Sequence, residues 1–166
     1  MEKLLNTLSD CIDRQLSLYR QLLDLFRDER SAVLASDLEE LNRVLMEKEL
    51  LLQTIRRTEH LRRQTAHEVA VLLGIEEASL TVSQLIERVE EPYASKIKQQ
   101  GATLQALIDE IQVASERNRS LCLQALQFVS GSIKLLTSLA RPNPVYHASG
   151  RMHSDRRIGR MLSDAV

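Results

Sequence analysis

The stretch LQALIDEIQVASERNRSLCLQALQFVSGSIKLLTSLARPNP, residues 104–144, decides the fold. Leu107, Ala114, Leu121, Phe128 and Leu135 form an apolar ladder that recurs every seven residues. A second seam runs beside it through Leu104, Ile108, Ile111, Cys122, Ala125, Val129, Leu136 and Leu139. Side chains at these spacings share one face of an α-helix. The pattern stops at Arg141-Pro142-Asn143-Pro144, because proline lacks the amide proton and the backbone freedom that a helix interior needs.

The same grammar fills the first half of the chain. Leu4, Cys11, Leu18, Leu25 and Ala32 make a ladder, flanked by Leu5, Leu8, Ile12, Tyr19, Leu22 and Phe26. Ladder plus seam is three heptad positions wide. A two-stranded coiled coil needs only two, so each helix is expected to touch more than one neighbour. The first helix is expected from about Glu2 to Leu34. Ser36 with Glu39 reads as a capping box that starts a second helix after a tight turn. A continuous helix is the alternative, since no Gly or Pro forces a break. The second helix should run from about Asp37 to Leu73 and end at Gly74 in the left-handed conformation. Its seam reads Leu38, Leu41, Leu45, Lys48, Leu52, Ile55, Glu59, Arg62, Ala66, Val69 and Leu73. Thr81 with Gln84 opens a short helix that must stop before Pro92. The last helix should start near Tyr93 and reach about Ala140. Gly101 and Gly131 inside it mark a bend or a close helix approach.

These readings predict an all-α fold: an elongated antiparallel helical bundle or coiled-coil hairpin, a third long helix and a labile C-terminal tail. Residues 1–140 form the expected bundle domain. Residues 141–166 form a basic tail, flexible or helical on binding. The tail holds five Arg and two Asp, a net of +3, which leaves −4 for the rest of a chain whose net charge is −1. Within it, Ile158, Met161 and Leu162 share a face if a helix forms, with Arg156, Arg157 and Arg160 pointing away. A disordered terminus is the other reading.

Composition excludes several function classes. A near-neutral balance argues against a generic nucleic-acid or membrane binder. Arg56, Arg57, Arg62 and Arg63 cluster on the second helix, but Glu59 and Glu68 dilute them and no aromatics interleave to stack bases. The longest apolar run, Val69 to Ile75, is too short to span a bilayer. The start, MEKLLNTLSD, lacks the basic-then-apolar pattern of a secretion signal, so a cytoplasmic protein is expected. Cys11 and Cys122 lie on apolar faces without metal-ligand spacing and read as free thiols in a reducing compartment. His60, His67, His147 and His153 have no Glu three residues before them and no recognisable nucleophile nearby. No glycine-rich phosphate loop exists. We expect no catalysis, cofactor or metal. Gln15, Glu29, Lys48, Glu59, Arg62 and Asn118 interrupt the seams. They either set register at half-exposed bundle edges or mark a loosely packed middle, since a buried charge must be paired. The last long helix has more apolar surface between Leu121 and Leu139 than two neighbours can cover. The surplus reads as core or as a groove for a partner helix.

Two long helices lead to a third that bears Asn118 and Leu121, followed by a proline break and the segment Tyr146-His147-Ala148-Ser149-Gly150. In this layout the chain resembles the FlgN family of flagellar type III export chaperones. The resemblance covers most of the chain, and its specific part is Asn118 and Leu121 with Tyr146 and Gly150 at the expected distance. It implies a cytosolic chaperone that binds hook–filament junction proteins by their C-terminal helical segments, prevents premature assembly and delivers them to the export gate. It also implies that Tyr146 contacts the export gate. Leu121, Phe128, Val129, Leu135, Leu136, Ile158, Met161 and Leu162 become the candidates for cargo contact, with no nucleic acid and no stable membrane insertion. The tail after Gly150 is longer than in shorter relatives. A self-associating coiled-coil adaptor is the alternative reading of the heptads.

Overall fold

The computed structural model describes residues 1–75 and 81–140. Four helices follow in order: α1 (Glu2–Ala35), α2 (Leu38–Leu73), α3 (Val82–Arg88) and α4 (Tyr93–Ala140). No strand occurs among the described residues. The chain divides into two compact units, Met1–Cys122 and Leu123–Val166.

In the first unit α1 and α2 form an antiparallel hairpin, and α4 returns antiparallel to α2 and alongside α1. The polar contacts fix these directions. Gln15 of α1 meets Glu59 of α2, and Glu29 meets Lys48, so α2 descends as α1 rises. Ser9 meets Gln100 of α4, and Glu29 meets Asn118, so α4 rises with α1. The wide stripe of α1 therefore has two neighbours, as its three heptad positions require. Leu5, Leu8, Ile12, Leu16 and Leu23 pack with Val69 of α2, Leu85 and Val89 around α3, and Ile97 and Leu107 of α4. Leu18, Leu22 and Ile55 form a second cluster with Tyr19, Phe26, Leu51, Leu52 and Ile111 against it.

The turn between α1 and α2 is real, but its chemistry is displaced by one residue from the expected capping box. Ser36 adopts the left-handed conformation (φ 55°) and closes α1. Its amide donates to the Val33 carbonyl and that of Asp37 to the Ala32 carbonyl, the hydrogen-bond pair that seals a helix C-terminus. With Ser36 used there, Asp37 is the first extended residue, and its carboxylate accepts from the Glu40 amide at 3.0 Å. Asp37, and not Ser36, caps α2.

Gly74 ends α2 with φ 65°, as expected from sequence. Thr81 caps α3 by accepting from the Gln84 amide at 3.2 Å. The return arm of that box does not form: Gln84 Oε1 is buried and accepts no hydrogen bond. Arg88 in the last turn of α3 donates to the Leu73 carbonyl at the end of α2. The Glu91 carboxylate accepts from the amide and hydroxyl of Ser95 and so caps α4. Gly101 is a close approach: a Cβ there would lie 3.3 Å from Val82 of α3.

The predicted seam of α2 needs correction in its first half. Leu38 and Leu45 are exposed, Leu41 and Leu52 half-buried, and the buried line runs through Val44, Ile55, Thr58, Thr65 and Val69. Among the described residues α2 has a single partner, α1, at the hairpin end. Only one line of side chains can then be covered, and the β-branched Val44 takes it.

Candidate partner-binding face

Three polar layers tie the helices of this unit together, and the first and third of them hold α4 on α1. In the first, Gln100 Nε2 donates to the Ser9 carbonyl (3.1 Å), to Ser9 Oγ (2.9 Å) and to Asp13 Oδ1 (2.7 Å). In the second, the fully buried Gln15 donates to Glu59, whose carboxylate also accepts from Arg62 and Arg63. Burial opposes the charge on Glu59, but the hydrogen bonds from Arg62 and Arg63, the Arg62 charge and the Gln15 amide outweigh it and hold the pKa at about 2. In the third layer Lys48 pairs with Glu29 at 2.7 Å and lies 4.6 Å from the Phe26 ring centroid. Asn118 donates to the Phe26 carbonyl (2.7 Å) and to the other Glu29 oxygen (2.8 Å). One layer thus ties α1, α2 and α4 together. The residues that interrupt the heptad seams are paired with one another; Lys48, Glu59 and Arg62 are half-buried, whereas Gln15, Glu29 and Asn118 are buried rather than at half-exposed edges.

The second unit presents a different surface. Leu123, Leu126, Phe128, Val129, Ile133, Leu135, Leu136 and Leu139 are each more than half exposed, Phe128 at 77% and Leu139 at 74%. Leu121, in the first unit, is half-buried. At 3.6 residues per turn, Ala125, Leu126, Phe128, Val129, Ile133, Leu135, Leu136 and Leu139 fall within about half of the helix circumference. Gln124, Gln127, Ser130, Lys134, Thr137 and Ser138 occupy the other half. Lys134 is the one charged residue between Ser120 and Ala140. The hydroxyls of Ser132, Thr137 and Ser138 donate to carbonyls of their own helix, so they need no outside partner. A contiguous apolar face of this size on a helix marks a place for a partner.

Of the sequence candidates, Phe128, Val129, Leu135 and Leu136 lie together on this face, and Asn118 lies in the third polar layer. Tyr146, Gly150, Ile158, Met161 and Leu162 fall outside the described residues. Leu126 and Ile133 were missed as candidates. Their signal was present: Leu126 stands three residues before Val129, and Ile133 stands four after Val129 and three before Leu136, which widens the stripe by one position. The basic cluster on α2 is part of the second polar layer through Arg62 and Arg63, while Arg56 and Arg57 are exposed. Among the described residues no group of three His, Cys, Asp or Glu could hold a metal ion. No described helix is long and apolar enough to cross a membrane.

A helical bundle carrying one long apolar face of this kind is built to bind another protein. The model of the FlgN protein family matches residues 1–154, and the chain belongs to that family. No curated protein and no solved structure matches it. As a family member it is a flagellar export chaperone for the hook-associated proteins FlgK and FlgL, non-enzymatic and cytoplasmic.

Proposed function

We propose that cargo is held by laying an amphipathic helix from the C-terminal segment of a hook-associated protein onto the apolar face of α4. Phe128, Val129, Leu135 and Leu136 form the contact, and Leu121 lies at its edge. Ile158, Met161 and Leu162 of the tail are further contacts for the cargo helix, and Tyr146 with the segment up to Gly150 contacts the export gate. One observation carries the cargo reading: seven large apolar side chains, all more than half exposed, on one half of a 14-residue stretch of helix from Leu126 to Leu139. Junction subunits assemble through sticky helical ends, and a chaperone that offers a matching apolar face shields those ends until export. The export-gate contact rests on the family layout around Tyr146.

Calorimetry with a purified C-terminal helical segment of a hook-associated protein tests the cargo site. The expected result is stoichiometric binding with a negative heat-capacity change, the mark of apolar burial. Phe128→Asp, and separately removal of residues 141–166, should each weaken capture by more than about tenfold while the helical circular dichroism persists. Undiminished binding by both folded variants would overturn the assignment.

A further inference from the structure

We infer that, without cargo, the apolar face of α4 is covered by the same face of a second copy, the two helices antiparallel about a twofold axis at Ser130. Such an axis sets residues equally far before and after position 130 against each other. Phe128 then meets Ser132 of the second copy, and Leu135 meets Ala125. Each large side chain faces a small one, and symmetry repeats both layers, as knobs entering holes require. The sequence carries the register outward to Leu121 against Leu139. A parallel pair would instead stack Phe128 on Phe128 and leave Ser132 against Ser132.

Three further observations fit a second copy. The Ser132 hydroxyl donates to the Phe128 carbonyl of its own helix at 2.9 Å, so it offers a small surface without an unmet polar group. Lys134 lies on the polar half of the helix, so self-pairing opposes no like charges. The seven exposed large apolar side chains on this face offer roughly 100 Å² each, and together they approach the roughly 800 Å² per partner of a stable interface.

Sedimentation velocity on the full-length protein, from about 1 µM to about 100 µM, reads the association directly. The expected outcome is a shift to twice the chain mass, with Phe128→Asp raising the midpoint concentration by more than about tenfold. The register is read in a Cys11→Ala, Cys122→Ser background. Ala125→Cys and Leu135→Cys should form a disulfide when the two proteins are mixed and oxidised, and neither should cross-link with itself. This second readout does not depend on the folding of the Phe128 variant. A monomer throughout, or self-cross-linking as fast as the mixed reaction, overturns the pairing. Cargo capture by a protein that stays monomeric removes the pairing and leaves the cargo site standing; a dimer that captures no cargo does the reverse.

Discussion

Asn118 gives both amide hydrogens to α1, one to the Phe26 carbonyl and one to Glu29. Its place in α4 is therefore set by chemistry that a leucine cannot supply. Asn118→Asp keeps the shape but removes both donors and puts a second carboxylate against Glu29. Leaving the acceptors unmet costs about 2 kcal/mol, so the urea midpoint at neutral pH should fall clearly below that of the parent. An unchanged midpoint would show that the layer does not hold α4. Glu59 makes a prediction about pH. Its folded pKa of about 2 lies below the unfolded value of about 4.3. The unfolded chain therefore takes up this proton first as pH falls, and the stabilisation from Glu59 is full above about 4.3 and gone below about 2. Glu59→Gln should flatten the acid limb of stability within that window. A limb of the same slope in both proteins would place the acid sensitivity elsewhere.

The hairpin turn shows how an element boundary is decided by one residue's backbone. Ser36 holds a left-handed φ of 55°, which costs any side chain, and Asp37 caps the next helix. Ser36→Gly should raise stability by about 1 kcal/mol, and Asp37→Ala should lower it by about 1 kcal/mol. Thermal melts of the two variants would move in opposite directions; a loss from Ser36→Gly would return the cap to Ser36. The four helices, the stop at Gly74 and the cap at Thr81 were legible because heptad spacing and terminal residues act locally. The one-residue slip at Ser36 was not, since Ser and Asp both cap well and the choice depends on how α1 ends. Leu38 and Leu45 were misread because periodicity tells which side chains share a face, but not whether a neighbour is present to cover it. The same limit left Phe128 and Leu135 open between core and groove from sequence. Lys48 and Glu29 read as faults in two separate seams, since only the register of the hairpin sets them opposite each other.

At the scale of the whole chain, charge and apolar surface are kept apart. The first unit is rich in acids and bases, part of them in surface pairs and in the layers around Glu59 and Glu29, whereas residues 120–140 carry Lys134 alone. Recognition on α4 then has little Coulombic attraction to screen, and salt should act on it weakly. Raising ionic strength from about 0.05 M to about 0.5 M should change the cargo dissociation constant by less than about threefold, while a basic groove would lose orders of magnitude. A steep loss with salt would move the binding energy to the basic residues after Arg141. The two outcomes separate further with the chain ended at Ala140. If α4 carries the affinity, the shortened protein keeps the same flat salt response at whatever strength remains. If the tail carries it, binding and salt dependence disappear together. A flat response also explains how one face can serve more than one hook-associated protein: with no charge to match, the requirement on a partner is an apolar helical stripe of the right width.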